Sequence, residues 1–138
     1  MTLKIKKAEY QLPIYLPDAT RAVTKGVDSI DLLNAGVKGV VVNTYHLMEN
    51  PGVKVLKKYD GIKNFMNFKG LVVSDSGGWQ VFSLIHRGKN KGKIDNEGVE
   101  FFIGGGSKRK FTPQMSIKTQ FDIGSDIIVC LDDFTPPD

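Results

Sequence analysis

Apolar and polar positions fall into blocks along the chain, and three of the apolar blocks are short and rich in β-branched residues. They are GVVVN (39–43), GLVVSD (70–75) and DIIVCLD (126–132). Runs of this length without polar alternation are typical of strands buried on both faces of a parallel sheet. A fourth run, LPIYLP (12–17), also predicts a strand, although prolines bound it.

Helix-like segments lie between these runs. In DSIDLLNAG (28–36), Asp28 is placed to cap a helix with Asp31 at the third helical position, and Ile30 and Leu33 share a face. The segment NPGVKVLKKYDGIKNFMNF (50–68) predicts one or two further short helices.

The second half of the chain continues the alternation with one interruption. TPQMSIKTQFDIG (112–124) predicts a helix capped by Thr112, with Pro113 at the first position and with Ile117 and Phe121 on one face. Before it, GVEFFIGGGSKRKFT (98–112) predicts a β-hairpin around a Gly-rich turn. Strands alternating with helices predict an α/β protein with a parallel sheet and an inserted hairpin. No linker divides the sequence, so one domain over residues 1–138 is expected.

Polar residues follow each of the three apolar strands at its carboxyl end. Asn43 and His46 follow the first run, Asp75 and Ser76 the second, and Asp132 the third. The carboxyl ends of parallel strands meet at one edge of a sheet, where α/β proteins bind their ligands. We therefore expect a binding site at this edge.

The segment DSGGW (75–79) has two interpretations. Asp75 and Ser76 before glycines suit a simple helix cap, and Trp79 suits core packing. Alternatively, Gly77 and Gly78 let the backbone approach a planar ligand while Asp75 accepts hydrogen bonds or a proton. Trp79 would then stack on the ligand, a contact that contributes about 1–3 kcal/mol.

Asp132 and Asp133 are neighbouring carboxylates that would be costly to bury together in the ionised form. Because neighbouring side chains on a strand point in opposite directions, we expect Asp132 to face the crevice and Asp133 the surrounding shell. Asn43 and His46 either line the same crevice or are structural polar groups. Two carboxylates, a hydroxyl, backbone N–H groups and an aromatic face suit a purine-like base better than a phosphate.

Charge adds a second candidate surface. The net charge of +4 permits an anionic partner such as nucleic acid. The runs HRGKNKGK (86–93) and SKRK (107–110) each fit a solvated loop tip, and together they predict phosphate contacts. The candidate phosphate contacts are Lys89, Lys91, Lys93, Lys108, Arg109 and Lys110.

Cysteine content and hydropathy argue against a metalloprotein, a membrane protein and a secreted protein. Cys130 is the only cysteine, so no metal site is predicted. Apolar runs fall well short of the roughly 20 residues that span a membrane, and the basic start MTLKIKKAEY lacks the apolar centre of a signal peptide. A soluble, cytoplasmic protein is the expectation.

Several motifs occur together in one order: NTYHL, NPG, DSGGWQVFS, GVEF and TPQMSIKTQFDIGSDIIVCLDDFTP. From about Leu12 to Pro136 they resemble the amino-terminal part of the tRNA-guanine transglycosylases, the queuine tRNA-ribosyltransferases. The resemblance implies a (β/α)₈ TIM-type barrel, of which this chain would form the first half. It also implies replacement of guanine in the tRNA anticodon by queuine or a deazaguanine precursor.

The resemblance further implies residue roles. Asp75 would be the proton acceptor at the base, residues 75–79 the substrate-binding segment, and Asp132 the residue that recognises the edge of the base. Asn43 and His46 would line the same pocket. The implied partners are tRNA and a guanine or deazaguanine base, and the open strand edge of a half barrel predicts association with a copy of itself or another subunit.

The family's nucleophilic aspartate, and its zinc site of three cysteines and a histidine, lie downstream of the segment matched here. With one cysteine and two histidines, His46 and His86, this chain is expected to hold neither group and to be inactive alone. The alternative expectation is a non-catalytic tRNA-binding or partner subunit, or an inactive truncated fragment.

Overall fold

The computed structural model describes residues 1–86, 92–103 and 107–132, which form eight strands and six helices. The mixed α/β class predicted from the sequence is confirmed. The strands are β1 (Thr2–Ile5), β2 (Ala8–Gln11), β3 (Gly39–Asn43), β4 (Leu71–Asp75), β5 (Gly92–Asp95), β6 (Gly98–Ile103), β7 (Ser107–Phe111) and β8 (Ile127–Ile128). The helices are α1 (Ser29–Asn34), α2 (Thr44–Glu49), α3 (Val53–Lys58), α4 (Ile62–Met66), α5 (Gly78–His86) and α6 (Pro113–Asp122).

A parallel sheet in the order β3-β4-β8 positions the candidate site. The predicted strands at 39–43 and 70–75 are confirmed, and their register places Asn43 beside Asp75. The predicted strand at 126–132 is too long, because β8 covers only Ile127–Ile128. The chain then continues to Asp132 outside any strand.

The backbone that pairs with β3 lies at residues 17–20, at and beyond the end of the strand predicted at 12–17. Ala19 N–H donates to Val41 O over 2.7 Å, and Thr20 O accepts from Asn43 N–H over 3.2 Å. Residues 12–17 belong to no strand, so that prediction is wrong. Prolines at both ends of the run remove N–H donors that a strand would use.

Helix α1 begins as its sequence predicts. Asp28 accepts hydrogen bonds from the backbone N–H groups of Ile30 and Asp31, and the Asp31 side chain accepts from Asp28 N–H, which completes a capping box. Ile30 and Leu33 do share a face, but that face is exposed, and Leu32 is the residue that enters the core.

Helix α6 begins at Pro113 after the predicted cap, because Thr112 Oγ accepts from Met115 N–H over 3.1 Å. Its predicted apolar face is not the buried one. Phe121 is 70% exposed, and α6 instead turns polar residues inward. The buried residues of α6 are Ser116, Thr119 and Gln120.

Two apolar clusters hold the elements together. The larger one joins the parallel sheet to helices α1 to α4 and includes Val40, Val42, Leu56, Ile62 and Phe68. The smaller one packs the antiparallel sheet β5-β6-β7 against α2 and α5 through Val81, Phe101 and Phe111, with Tyr45 and Leu84 among the side chains around them.

The antiparallel elements lie outside the parallel sheet. β6 and β7 pair antiparallel from Val99 beside Phe111 to Ile103 beside Ser107, and residues 104–106 between them lie outside the described residues. β5 adds a third strand to this sheet, which the sequence did not predict. β1 and β2 form a separate antiparallel pair at the start of the chain.

Candidate functional site

Asn43 and Asp75 end neighbouring strands and join at the carboxyl edge of the sheet. Asn43 Nδ2 donates to Asp75 Oδ2 over 2.7 Å and to Gln80 Oε1 over 2.8 Å. Asn43 Oδ1 accepts from His46 N–H over 3.1 Å, so the same side chain caps α2. These three bonds fix the orientation of the Asn43 amide and hold one oxygen of Asp75. The other oxygen, Asp75 Oδ1, accepts no hydrogen bond within the described part of the chain.

Gln80 is a site residue that the sequence reasoning missed. It lies in the first turn of α5, and its amide reaches back to Asn43 across the carboxyl edge. Its position in DSGGWQVFS could have indicated this role. A helix that begins directly after a strand places its first residues near the carboxyl edge of the sheet.

Ser76 and Asp132 form the second pair at this edge. Ser76 Oγ donates to Asp132 Oδ1 over 2.9 Å and accepts from Gly78 N–H over 3.1 Å. Ser76 is buried whereas Asp132 is exposed, so the Asp132 carboxylate is held from inside and accessible from outside. The role of Asp132 at the base stays a prediction. The strand alternation from which its orientation was predicted does not apply, because Asp132 lies outside any strand.

Two glycines let strand β4 pass into α5 close to both pairs. Gly77 has a φ of +87°, which disfavours other residues, and a Cβ on it would lie 2.8 Å from Tyr45 Cβ. A Cβ on Gly78 would lie 2.8 Å from Asp132 O and 2.9 Å from Asp132 Oδ1. Glycine at 78 therefore permits the close approach of α5 to Asp132.

Trp79 lies at the surface of the site. It is 41% exposed, and its ring stacks on Phe82 with centroids 5.8 Å apart and planes inclined by 26°. A hollow of about 250 Å³ opens beside it. Its lining residues are Tyr45, His46, Trp79, Gln80, Ser83 and Leu84.

A second hollow borders Asp132. It has a volume of about 230 Å³, and Gly78 and Asp132 lie on its wall. Apolar side chains form much of the rest, including Val81, Phe82 and Leu131.

His46 is half-buried in the first hollow, with its ring edge-on to Tyr45 at a centroid distance of 5.7 Å. Burial and the nearby Arg21 guanidinium lower the pKa of His46, against a smaller opposing effect of Asp18. The imidazole is therefore neutral at pH 7 and able to accept a hydrogen bond.

The basic candidates that the structure describes lie on the antiparallel sheet β5-β6-β7. Four of them are described, and each faces a carboxylate on an exposed surface: Lys93–Asp95 at 3.0 Å, Lys108–Glu100 at 2.8 Å, Lys110–Glu97 at 3.0 Å and Arg109–Glu49 at 3.9 Å. Lys89 and Lys91 lie outside the described residues, as does Asp133. The acidic partners offset much of the positive charge, which the sequence runs alone did not reveal.

Residues 1–86, 92–103 and 107–132 bring no three His, Cys, Asp or Glu side chains together in a way that could hold a metal ion. Cys130 is exposed. Among the described helices, none is long and apolar enough to cross a membrane.

The chain is an α/β protein whose parallel strands β3 and β4 end in a hydrogen-bonded amide and carboxylate. Glycines and an exposed tryptophan lie beside them, so this edge is a candidate site for a planar polar ligand. Residues 1–138 match the family model described as queuine tRNA-ribosyltransferase. The chain therefore belongs to the queuine tRNA-ribosyltransferase family.

Individual relatives carry the same name. The chain is 41% identical over 136 residues to a queuine tRNA-ribosyltransferase from Leptospira biflexa, which covers 98% of this chain and 36% of that protein. Identity is 40% over 137 residues with the Thermotoga neapolitana protein (99% and 36%) and 40% over 128 residues with the Staphylococcus epidermidis protein (92% and 33%). The chain thus spans about a third of the length of these relatives.

Proposed function

We propose that this chain supplies the base-recognition part of a tRNA-guanine transglycosylase, which replaces guanine in the tRNA anticodon with queuine or a deazaguanine precursor. The observation that carries the proposal is the pair of carboxylates held at one strand edge. Asp75 is held by Asn43 over 2.7 Å and Asp132 by Ser76 over 2.9 Å, in a chain that matches the family over residues 1–138.

We further propose that residues 1–138 form part of a single TIM-type barrel domain, as its first half. The order of parallel neighbours supports this: the segment around Ala19, then β3, β4 and β8, follow one another in space as in sequence. Such an order is that of a (β/α)₈ barrel. The sheet face bearing Val41 and Val73 is only half-buried, as a face awaiting the rest of a barrel would be.

In the proposed site, the base lies at the carboxyl edge with its N–H groups towards Asp132 and its ring against Trp79. The proposed reaction is a double displacement. A carboxylate supplied from outside this chain attacks the anomeric carbon of the ribose. The glycosidic bond breaks with its electron pair passing to guanine, which leaves and takes up a proton from solvent. The incoming base gives a proton to Asp75 and then displaces the enzyme carboxylate. The oxygen Asp75 Oδ1, without a hydrogen bond among the described residues, is the proposed acceptor.

The family's zinc site does not fit the residues described here, since they offer no cluster of three metal-binding side chains.

The test is guanine binding by the 138-residue chain, followed by fluorescence of Trp79, its only tryptophan. Asp132→Asn keeps the size of the side chain and removes the charge. Hydrogen bonds to charged groups contribute about 1.5–3 kcal/mol, so we expect affinity to fall by roughly tenfold to a hundredfold. The matched control is Asp60→Asn, an exposed position away from the site. Equal affinities for all three proteins would refute the role of Asp132.

A non-catalytic subunit that binds tRNA or a catalytic partner is the second candidate. It predicts salt-sensitive binding of tRNA without base exchange. Exchange of radiolabelled guanine into tRNA by this chain would exclude it.

A further inference from the structure

Helix α6 meets the parallel sheet through buried polar side chains. Ser116 and Gln120 are fully buried on α6, and they face Ser74, which is fully buried on β4. A helix that packs on a sheet normally buries apolar residues there. Buried polar groups are destabilising unless they are paired, so this interface needs an explanation.

Gln120 uses its whole hydrogen-bonding capacity in this interface. Its Oε1 accepts from Ser74 Oγ over 2.6 Å and from Val129 N–H over 3.0 Å. Its Nε2 donates to Ser116 Oγ over 3.1 Å and to Val129 O over 2.9 Å. Two acceptor and two donor contacts complete the amide and fix its orientation.

The Gln120 side-chain amide hydrogen-bonds to both backbone groups of Val129, as the backbone of a neighbouring strand would. β8 ends at Ile128, and from the next residue the Gln120 side chain offers Val129 a carbonyl and an N–H group. Val129 N–H also donates to Ser74 O over 3.1 Å. Gln120 therefore fixes the chain just after the strand ends, three residues before Asp132.

The same network reaches Asp132 from its other side. Ser116 Oγ, which accepts from Gln120, donates to Ser76 O over 2.8 Å. Ser76 Oγ in turn donates to Asp132 Oδ1. Gln120 is thus tied both to the backbone that leads into Asp132 and to the residue that holds its carboxylate.

We propose that Gln120 is a positioning residue, which sets the Asp132 carboxylate for the base by fixing Val129 and, through Ser116, Ser76. The inference rests on the proposed function, since Asp132 is there assigned to the base. Gln120 does not itself touch the base.

Gln120→Glu tests the proposal through pH. A protonated carboxyl has nearly the shape of the amide and can donate one hydrogen bond, whereas an ionised one places negative charge against Val129 O. Burial raises the pKa of such an introduced carboxyl, so it is neutral at pH 5 and loses its proton only as the pH rises through that raised value. We expect the variant to bind guanine within about threefold of the unchanged protein at pH 5 and at least tenfold more weakly at pH 8. Gln114→Glu, on the exposed face of the same helix, should match the unchanged protein at both pH values.

Two NMR measurements separate this inference from the proposed function. The side-chain amide hydrogens of Gln120 should exchange slowly in the unchanged protein, and the backbone amides of Ser76 and Asp132 should shift with the same pH midpoint in Gln120→Glu. An unchanged protein that binds no guanine but passes both measurements would refute the base site and leave the positioning network standing.

Rapid exchange of the Gln120 amide hydrogens, or a Gln120→Glu variant that binds guanine equally at both pH values, would overturn the inference. If that variant unfolds at pH 8, Ser74→Ala replaces it, because it removes only one donor to Gln120. We expect it to shift the Asp132 amide and weaken guanine binding several-fold, and unaltered shifts and affinity would also overturn the inference.

Discussion

At the scale of single residues, the site depends on side chains that each serve several neighbours. Asn43 caps α2, donates to Asp75 and donates to Gln80, while it is only 5% exposed. An amide suits this position because it combines one acceptor with two donors. A change of one atom at this position is therefore expected to alter both the helix cap and the carboxylate.

Asn43→Asp keeps the cap acceptor but replaces the donors with a second carboxylate beside Asp75. Two carboxylates at hydrogen-bond distance share one proton, so the pKa of the pair is raised above the value in the unfolded chain. A raised pKa gives stability that is present at low pH and lost as pH rises through the folded-state value. We expect the variant to be destabilised by about 1–3 kcal/mol at pH 8 and by less at pH 5, measured by urea unfolding. A loss of stability that is equal at both pH values would contradict the shared proton.

Gly78→Ala tests the close approach of α5 to Asp132. The added Cβ would lie under 3 Å from Asp132 O and Oδ1, so Asp132 must move. We expect guanine affinity to fall at least tenfold in a fluorescence titration. Gly36→Ala is the control with the opposite pattern: its φ of +80° makes alanine strained, but nothing lies within 4 Å of the new Cβ. That variant should lose stability and keep guanine affinity, and if Gly78→Ala also kept its affinity, the packing argument would fail.

At the scale of secondary-structure elements, Asp126 joins three parts of the chain at the end of the sheet opposite the candidate site. Its side chain is 4% exposed, and its Oδ2 lies 2.5 Å from Lys63 Nζ of α4. Oδ2 also accepts from Val72 N–H of β4 over 3.0 Å, and Oδ1 lies 3.3 Å from Lys6 Nζ after β1. Burial alone would raise the pKa of Asp126, but the hydrogen bonds from Lys63 and Val72 outweigh it and the pKa is lowered.

The lowered pKa of Asp126 predicts an acid-sensitive contribution to stability. Its stabilisation is present above the unfolded-state pKa of about 3.9 and is lost as pH falls through the folded-state value. Asp126→Asn should therefore destabilise the protein at pH 7, by about 1–3 kcal/mol, and by progressively less below pH 4. Urea unfolding across pH 2–7 measures this, with Asp60→Asn as the exposed control. A difference that stays constant with pH would contradict the ionised role of Asp126.

How far the sequence predicts these elements depends on whether their signals are local. The cap of α1 at Asp28 and that of α6 at Thr112 were predictable because the donors and acceptors lie within three residues of each other. The length of β8 was not, because the contacts that Val129 makes with the Gln120 side chain depend on the fold and leave no local signal. The pairing of Thr20 with Asn43 was also missed, since only the fold brings those residues together.

The candidate site divides in the same way. That Asn43 and Asp75 lie side by side could be predicted, because they end neighbouring strands. The orientation of Asp132 could not, because it lies outside any strand and is held by Ser76. Gln80 could not, because its role is a contact to Asn43 across the edge. Within the basic runs, the offset of Lys110 by Glu97 was hidden for a similar reason, since the partners lie on different parts of the antiparallel sheet.

At the scale of the whole molecule, the charge of +4 is a poor guide to where an anion would bind. The described cations of the antiparallel sheet each face a carboxylate, whereas Arg21 makes no ion pair among the described residues and follows Thr20 at the carboxyl edge. Exposed ion pairs contribute only about 0–1 kcal/mol, so a phosphate can compete for their cations. Because that competition offsets part of the gain from each phosphate contact, the antiparallel sheet is expected to bind tRNA only weakly while its cations are paired.

Removing the competing carboxylates tests whether the antiparallel sheet contacts tRNA at all. The double variant Glu97→Gln, Glu100→Gln releases Lys110 and Lys108. If these lysines contact phosphates, we expect tRNA affinity to rise several-fold at low salt. The plot of log affinity against log salt concentration should also steepen by about one to two, since each added phosphate contact contributes about 0.7–0.9 to the slope.

The matched control for this change is the double variant Asp31→Asn, Asp60→Asn. It alters the net charge by the same amount at exposed positions, and neither carboxylate pairs with a lysine among the described residues. Filter binding of tRNA at several salt concentrations measures both proteins. A gain confined to the Glu97 and Glu100 variant would assign the antiparallel sheet to the tRNA surface. An equal gain in the control would mean that net charge alone attracts tRNA, and the lysine candidates on β7 would lose their support.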